Sequence, residues 1–313
     1  MSATHSVPDA SLPPPSLEEV SPGVFAYIQL DGSWFLNNAG FITGEQATVA
    51  IDTLGTERRS RAFFEAIART SDKPLRTLVS THSHADHTHG NYLAPAGTTI
   101  VGHELCREEM LAANLEALKM SFPTADFGDV EYAPPTVTFA DRITLYSDDL
   151  RVELIHFGPA HTTNDVVAWL PDRKVLFAGD LAFNGGTPFA MAGSVAGWLD
   201  VIPELRALPA TTIVPGHGPV CGPEVFDTVE AYLTFVMELA RRGREEGVAP
   251  LDLARATDLG DFAGLLDRER LVGNLHRAYA ELSGLPRGGP IDVPSVFADM
   301  ISYNGGEPLR CLA

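Results

Sequence analysis

The chain has 313 residues, 45% hydrophobic and 20% charged, the balance of a folded protein with a sizeable core. Its 41 acidic residues against 22 basic ones give a formal net charge of -19, a field that repels nucleic acid and anionic membranes and excludes both as partners. Three cysteines, Cys106, Cys221 and Cys311, are too few and too scattered for a disulfide framework.

The first 22 residues are polar and rich in proline, with no apolar run to act as a signal-peptide core. They read as a disordered tail on a cytoplasmic protein. From residue 24 short apolar runs alternate with turn residues. Segments 24–30 and 35–43 are predicted strands around the turn Asp31-Gly32-Ser33, and 47–52 is a third. Residues 58–70 carry Phe63, Phe64 and Ile67 at helical spacing, and 75–80 is a buried strand, so an α/β crossover is expected. Further strands are predicted over 136–139, 142–146, 150–157, 165–170, 174–178 and 211–214, with a glycine-rich loop opening at 184. From 223 onward the chain reads as helical, most clearly over 225–242 and 269–282. The expected division is a core over 23–222 and a C-terminal helical region over 223–313 packed on it.

The segment carrying the chemistry is Thr81-His82-Ser83-His84-Ala85-Asp86-His87, directly after the strand at 75–80. Three imidazoles and a carboxylate this close repel one another if protonated, and burying them neutral without partners is costly. A divalent cation resolves both problems, since imidazole nitrogen and carboxylate oxygen are good zinc ligands. Downstream, His161, Asp180 and His217 each follow a predicted strand and are flanked by Gly or Pro, which permit tight loops. Seven side chains suffice for two metal ions. His5 lies in the tail, and His103 and His276 read as helical. His156 reads as a strand residue with a packing role, and His89 as a neighbour able to support the motif from outside.

HSHADH, PAH, AGD and PGHG, in this order, resemble the signature of the metallo-β-lactamase superfamily. The resemblance implies an αββα sandwich with two metal ions at one edge of the two sheets, here with a helical C-terminal extension. It implies that His82, His84 and His161 hold the first ion, Asp86, His87 and His217 the second, with Asp180 bridging. Asp52 matches the family's early structural aspartate, which supports the site without ligating. Two zinc ions are expected, with iron or manganese also compatible with the oxygen ligands. Asp86 and Asp180 would act catalytically by holding a metal-bound hydroxide. Aspartate at 180, where the commonest β-lactamases of the superfamily carry cysteine, points to thioester chemistry of the glyoxalase II kind rather than antibiotic hydrolysis.

The segments TPFA (187–190), GSVAG (193–197), DFAGLLD (261–267), NLHRA (274–278) and YNGG (303–306) through CLA (311–313) resemble one branch. It is the metallo-β-lactamase-like polyketide cyclases of aromatic (type II) pathways, typified by the actinorhodin second-ring cyclase/thioesterase. The implied activity is aldol closure of the second ring of a poly-β-ketone on an acyl carrier protein, with hydrolysis of its thioester. Trp34, Phe35, Phe183 and Phe189 are candidate liners of the pocket for that flat chain. An acidic carrier would need local positive charge, and Arg58, Arg59 and Arg61, or Arg241, Arg242 and Arg244, could supply it. The alternatives are a thioesterase or lactonase acting on free small molecules, and a binding protein that has lost catalysis. The presence of all seven ligands argues against the second.

Overall fold

A computed structural model describes residues 14–29 and 31–313. Thirteen of the 22 residues read as tail therefore lie outside the described residues, but Ser16–Ser21 is a strand, β1, paired antiparallel with β2 (Val24–Ile28). Its sequence, SLEEVS, is polar because it forms the sheet edge and needs no two-sided apolar face. β3 (Ala39–Thr43), β4 (Thr48–Ile51), β5 (Leu75–Val79), β6 (Thr99–His103) and β7 (Val137–Phe139) continue this sheet in chain order. Pairing is antiparallel up to β4 and parallel from β4 to β7. The crossover from β4 to β5 is α1 (Glu57–Thr70), whose N-cap Thr56 accepts a hydrogen bond from Arg59 N and whose Phe63, Ala66 and Ile67 are buried on the sheet.

The second sheet has the order β12 (Thr212–His217), β11 (Val175–Phe183), β10 (Val166–Leu170), β9 (Leu150–His156) and β8 (Arg142–Ser147). Its pairs are antiparallel except β11 with β12. The inner faces share one cluster: Ile42, Val49 and Val79 of the first sheet meet Leu154, Ala168 and Phe177 of the second. At Gly40 the approach is so close that a Cβ would run into the Phe177 ring. Outside the first sheet lie α1 and its partners Tyr27, Phe41 and Leu78. Outside the second lie α5 (Val195–Ala207), α6 (Val225–Glu246), α7 (Pro250–Ala256), α8 (Arg270–Leu282) and α9 (Val293–Tyr303), which share the large cluster of Trp169, Leu176, Trp198, Leu233 and Leu275. Layered helix, sheet, sheet and helix, the chain has the αββα architecture. No helix among the described residues is long and apolar enough to cross a membrane.

Two expectations change here. The strand predicted from Phe35 starts only at Ala39, because Phe35 sits at φ 63, in the left-handed region that breaks a strand. His103 closes β6 and caps α3 (Glu104–Ala112) through Nδ1, so it is not inside a helix. The glycine-rich stretch opens as a loop, as expected, and then gives way to α5 once Ser194 caps Gly197 N.

Candidate metal centre

All seven predicted ligands gather at one edge of the sandwich. β5 delivers the motif: His84 is the N-cap of α2 (Ala85–Thr88), which carries Asp86 and His87. His161 follows β9, and His217 ends β12. Asp180 lies inside β11 rather than at its end, because β11 runs on to Phe183 with shifted register against β12 after Phe177. At Gly216 a Cβ would collide with Asp180 Oδ1, so only glycine lets these two strands bring Asp180 and His217 together.

The donor atoms of His82, His84, His161 and Asp180 lie within 4.8 Å of one another, and those of Asp86, His87 and His217 form a second such set. Asp180 stands between the sets: Oδ2 is 3.2 Å from His161 Nε2 and 3.5 Å from His217 Nε2, and Oδ1 is 3.1 Å from His87 Nε2. His217 Nε2 is also 3.3 Å from Asp86 Oδ2.

The outer nitrogens of four of these rings are anchored. His87 Nδ1 meets Asp52 Oδ2 at 2.8 Å, His217 Nδ1 meets Gly32 O at 3.1 Å, His82 Nδ1 meets Thr81 Oγ1 at 3.1 Å, and His161 Nδ1 meets Phe189 O. Asp52 is itself held by Thr81 N at 2.7 Å and Thr81 Oγ1 at 2.8 Å. Such outer partners orient imidazoles as ligands. Inside, His82 Nε2, His87 Nε2 and Asp180 Oδ1 are buried without hydrogen-bond partners. Buried polar atoms aimed at one another without partners are costly, and a divalent cation satisfies them. The residues present fit metal ions.

Electrostatics agree. Burial, then the charge of His87, pushes His82 well below the ordinary imidazole range, and burial takes His161 down to about 3. Burial also opposes the charge on His87 and His217, but carboxylates prevail. Asp180 and Asp52 raise His87 well above its usual range, and Asp180 raises His217 to about 9. Burial disfavours ionisation of Asp180, yet His217, His87 and His161 hold it well below the usual carboxylate range. Asp180 and Asp86 stay ionised and attract cations: protons on the histidines, or metal.

Above the centre opens a cavity of about 210 Å³ lined by His84, Asp86, His161, Asp180 and His217. All four predicted aromatics, Trp34, Phe35, Phe183 and Phe189, stand in its wall. Trp34 meets Phe189 edge to face at 5.2 Å, and Phe183 stacks on His217 at 5.2 Å. An outer cavity of about 560 Å³ adjoins it, between α4 (Leu115–Ser121) and α9, sharing His84, Ala85, Leu118 and Phe297. Arg270 of α8 also lines the inner cavity and was not foreseen, since an arginine opening an amphipathic helix reads as a solvent-facing charge.

Other candidates are placed elsewhere. His156 pairs with His103, their ring centroids 4.1 Å apart, away from the ligands. His89 is buried with Nδ1 3.1 Å from Gly55 O, and lines the outer cavity. His276 lies in α8 as expected and pairs with Asp299 at 2.8 Å. Arg59 is buried, donating to Gln29 Oε1 and Leu312 O, and Arg61 pairs with Glu57 at 2.7 Å. The first arginine cluster is therefore not the continuous exposed patch expected of it. Arg241, Arg242 and Arg244 are exposed at the end of α6. Cys106, Cys221 and Cys311 form no disulfide.

The chain is similar to several known proteins. The chain is 28% identical to the α subunit of 2,4-dinitroanisole O-demethylase of Nocardioides over 56% of its length and 51% of that protein. It is 24% identical to linear primary-alkylsulfatase of Pseudomonas, covering 82% of this chain and 57% of that one. It thus spans only a little over half the length of these two relatives. Hydroxyacylglutathione hydrolase of Rhodospirillum rubrum is 26% identical, with 73% of this chain and 80% of that one covered. Among solved structures, the metallo-β-lactamase from Pontibacter korlensis superposes with a TM-score of 0.58 at 22% identity, covering 70% of this chain and 99% of that one, a likeness of fold. The profile of the metallo-β-lactamase superfamily matches residues 32–217, from the turn before Trp34 to the last of the seven ligands, and on that match the chain belongs to the metallo-β-lactamase superfamily.

Proposed function

We propose that this superfamily hydrolase is a binuclear zinc cyclase/thioesterase. Its substrate is a poly-β-ketone carried as a thioester, whose second ring it closes by an aldol reaction before releasing the acid. One observation carries the reading: two of the segments resembling the polyketide cyclases, TPFA and NLHRA, meet behind the cavity wall. Asn274 of α8 accepts Ala190 N through Oδ1 at 2.7 Å and donates to Pro188 O at 2.8 Å. That clamp seats Phe189, whose ring fills the space a Cβ on Gly273 would need. TPFA and NLHRA thus build one wall, with a flat aromatic lining suited to a planar, partly cyclised chain.

By this reading His82, His84 and His161 would hold one ion and Asp86, His87 and His217 the other, with Asp180 available to either. Bound divalent ions supply Lewis acidity toward carbonyl oxygen and toward water. The chain's own residues do the rest. The aromatic wall exposes little polar surface, excludes bulk water and holds the polyketone flat, so that the enolisable carbon and the target carbonyl of one chain meet. Asp86 and Asp180, held ionised, present carboxylate oxygens at the cavity floor, where protons leave carbon and water. Closure forms a carbon–carbon bond, dehydration expels water, and hydrolysis adds water across the acyl–sulfur bond to give acid and thiol. The carrier would be an acyl carrier protein, for which Arg241, Arg242 and Arg244 offer exposed positive charge.

Incubation of metal-loaded protein with a carrier-bound, first-ring-cyclised polyketide tests this. The expected product is the free, second-ring-closed acid. Unchanged polyketide alongside rapid hydrolysis of simple acyl thioesters would instead favour a thioesterase or lactonase acting on free small molecules, the reading that the resemblance to hydroxyacylglutathione hydrolase supports.

A further inference from the structure

Arg270 is 2% exposed, although it carries a permanent charge. Its guanidinium carbon lies 4.0 Å from the centre of the Trp34 indole, with the Phe183 and Phe189 rings at 5.3 and 6.0 Å. Nη1 donates to Thr187 O at 3.1 Å, and Nη2 is 3.0 Å from Asp267 Oδ2. Nε is buried and has no hydrogen-bond partner. Neighbouring Glu269 holds the indole itself, accepting from Trp34 Nε1 at 2.7 Å. Two consecutive residues at the start of α8 thus fix a cation and an aromatic plate against each other, in the wall of the cavity that holds the metal ligands.

A buried arginine serving only to tether α8 would satisfy its donors, because an unmade buried hydrogen bond is costly. Here one donor is left over beside a cavity. A guanidinium stacked on an aromatic ring favours flat anions with delocalised charge, which accept its N–H groups in plane while lying along the ring. Asp267 offsets part of the charge; burial raises its carboxyl to about 6, against the opposing pull of the Arg270 charge.

We propose that Arg270 and Trp34 form a subsite for a planar, delocalised oxyanion. The inference rests on the polyketide reading and deepens it, making the occupant an enolised β-diketone unit whose enolate oxygen takes the Arg270 Nε–H. Arg270 then has a specificity role: it selects the enolised, flat form of the chain and anchors it beside the metals.

The test uses metal-loaded protein and two isosteric probes, 2-naphthoate and neutral 2-naphthamide, titrated calorimetrically. Wild type should bind naphthoate at least about tenfold more tightly, a gap of about 1.4 kcal/mol. R270M should lose that preference while keeping its metal content, and R270K should keep part of it. If R270M fails to fold because Asp267 is left unpaired, the double variant D267N/R270M removes both charges together and carries the same expectation. Equal binding of the two probes by wild type overturns the proposal. So does an anion preference that survives loss of Arg270, since the metals alone would then account for it. Turnover of the carrier-bound polyketide by the same samples separates the readings. An Arg270-dependent anion preference without turnover keeps the subsite and removes the polyketide assignment, and turnover without that preference removes the subsite alone.

Discussion

Asp52 Oδ2 stands 2.8 Å from His87 Nδ1 and 2.8 Å from Thr81 Oγ1, so one carboxylate ties the end of the metal motif's strand to a ligand six residues on. Asp52 reaches this position from the end of β4 at φ 60, a left-handed conformation unusual outside glycine. The contact keeps the His87 proton on Nδ1 and leaves Nε2 facing Asp180. Asp52→Asn keeps the shape but loses the charge that orients and polarises the ring. Chelator competition should show metal affinity at the His87 set falling about 10–100-fold, with the fold retained. Unchanged affinity would mean that His87 is oriented by something else.

Asp180→Ala removes the carboxylate that stands between the two ligand sets. Turnover should fall to background and the second ion should bind more weakly. His156→Ala, in a ring pair away from the ligands, should leave turnover close to wild type and cost about 1 kcal/mol of stability. Parallel steady-state assays and metal titrations of the two variants check this. Equal losses would contradict the ligand assignment.

The metal site was legible because HSHADH packs four ligands into six residues, and because His161, Asp180 and His217 carry Gly or Pro beside them. β5, β10 and β11 were legible as apolar runs. β1 was not, since an edge strand such as SLEEVS carries no apolar signature, and β6 is a short mixed segment that runs directly into α3. Pro203 inside α5 and the glycines before it mask that helix. Arg270 was not recoverable, because its partner Trp34 is more than two hundred positions away and only the fold brings them together.

His156 also carries a pH signature. Burial, and then the charge of His103, lowers it to about 4, with Asp141 opposing. Its unfolded value is about 6.5, so the folded protein binds fewer protons there than the unfolded chain. Stability from this site is therefore intact above pH about 6.5, and it is lost progressively as pH falls towards 4. His156→Gln should flatten the fall of Tm with acid over that window relative to wild type, both measured with the same excess of zinc. Parallel Tm profiles for the two proteins would contradict the assignment.

Everything proposed for catalysis rests on two ions held by seven side chains. Elemental analysis of protein purified without chelator, repeated after reconstitution with zinc, tests that directly. Two ions per chain are expected, falling towards one in Asp180→Ala. A value near zero that does not rise on reconstitution would contradict it.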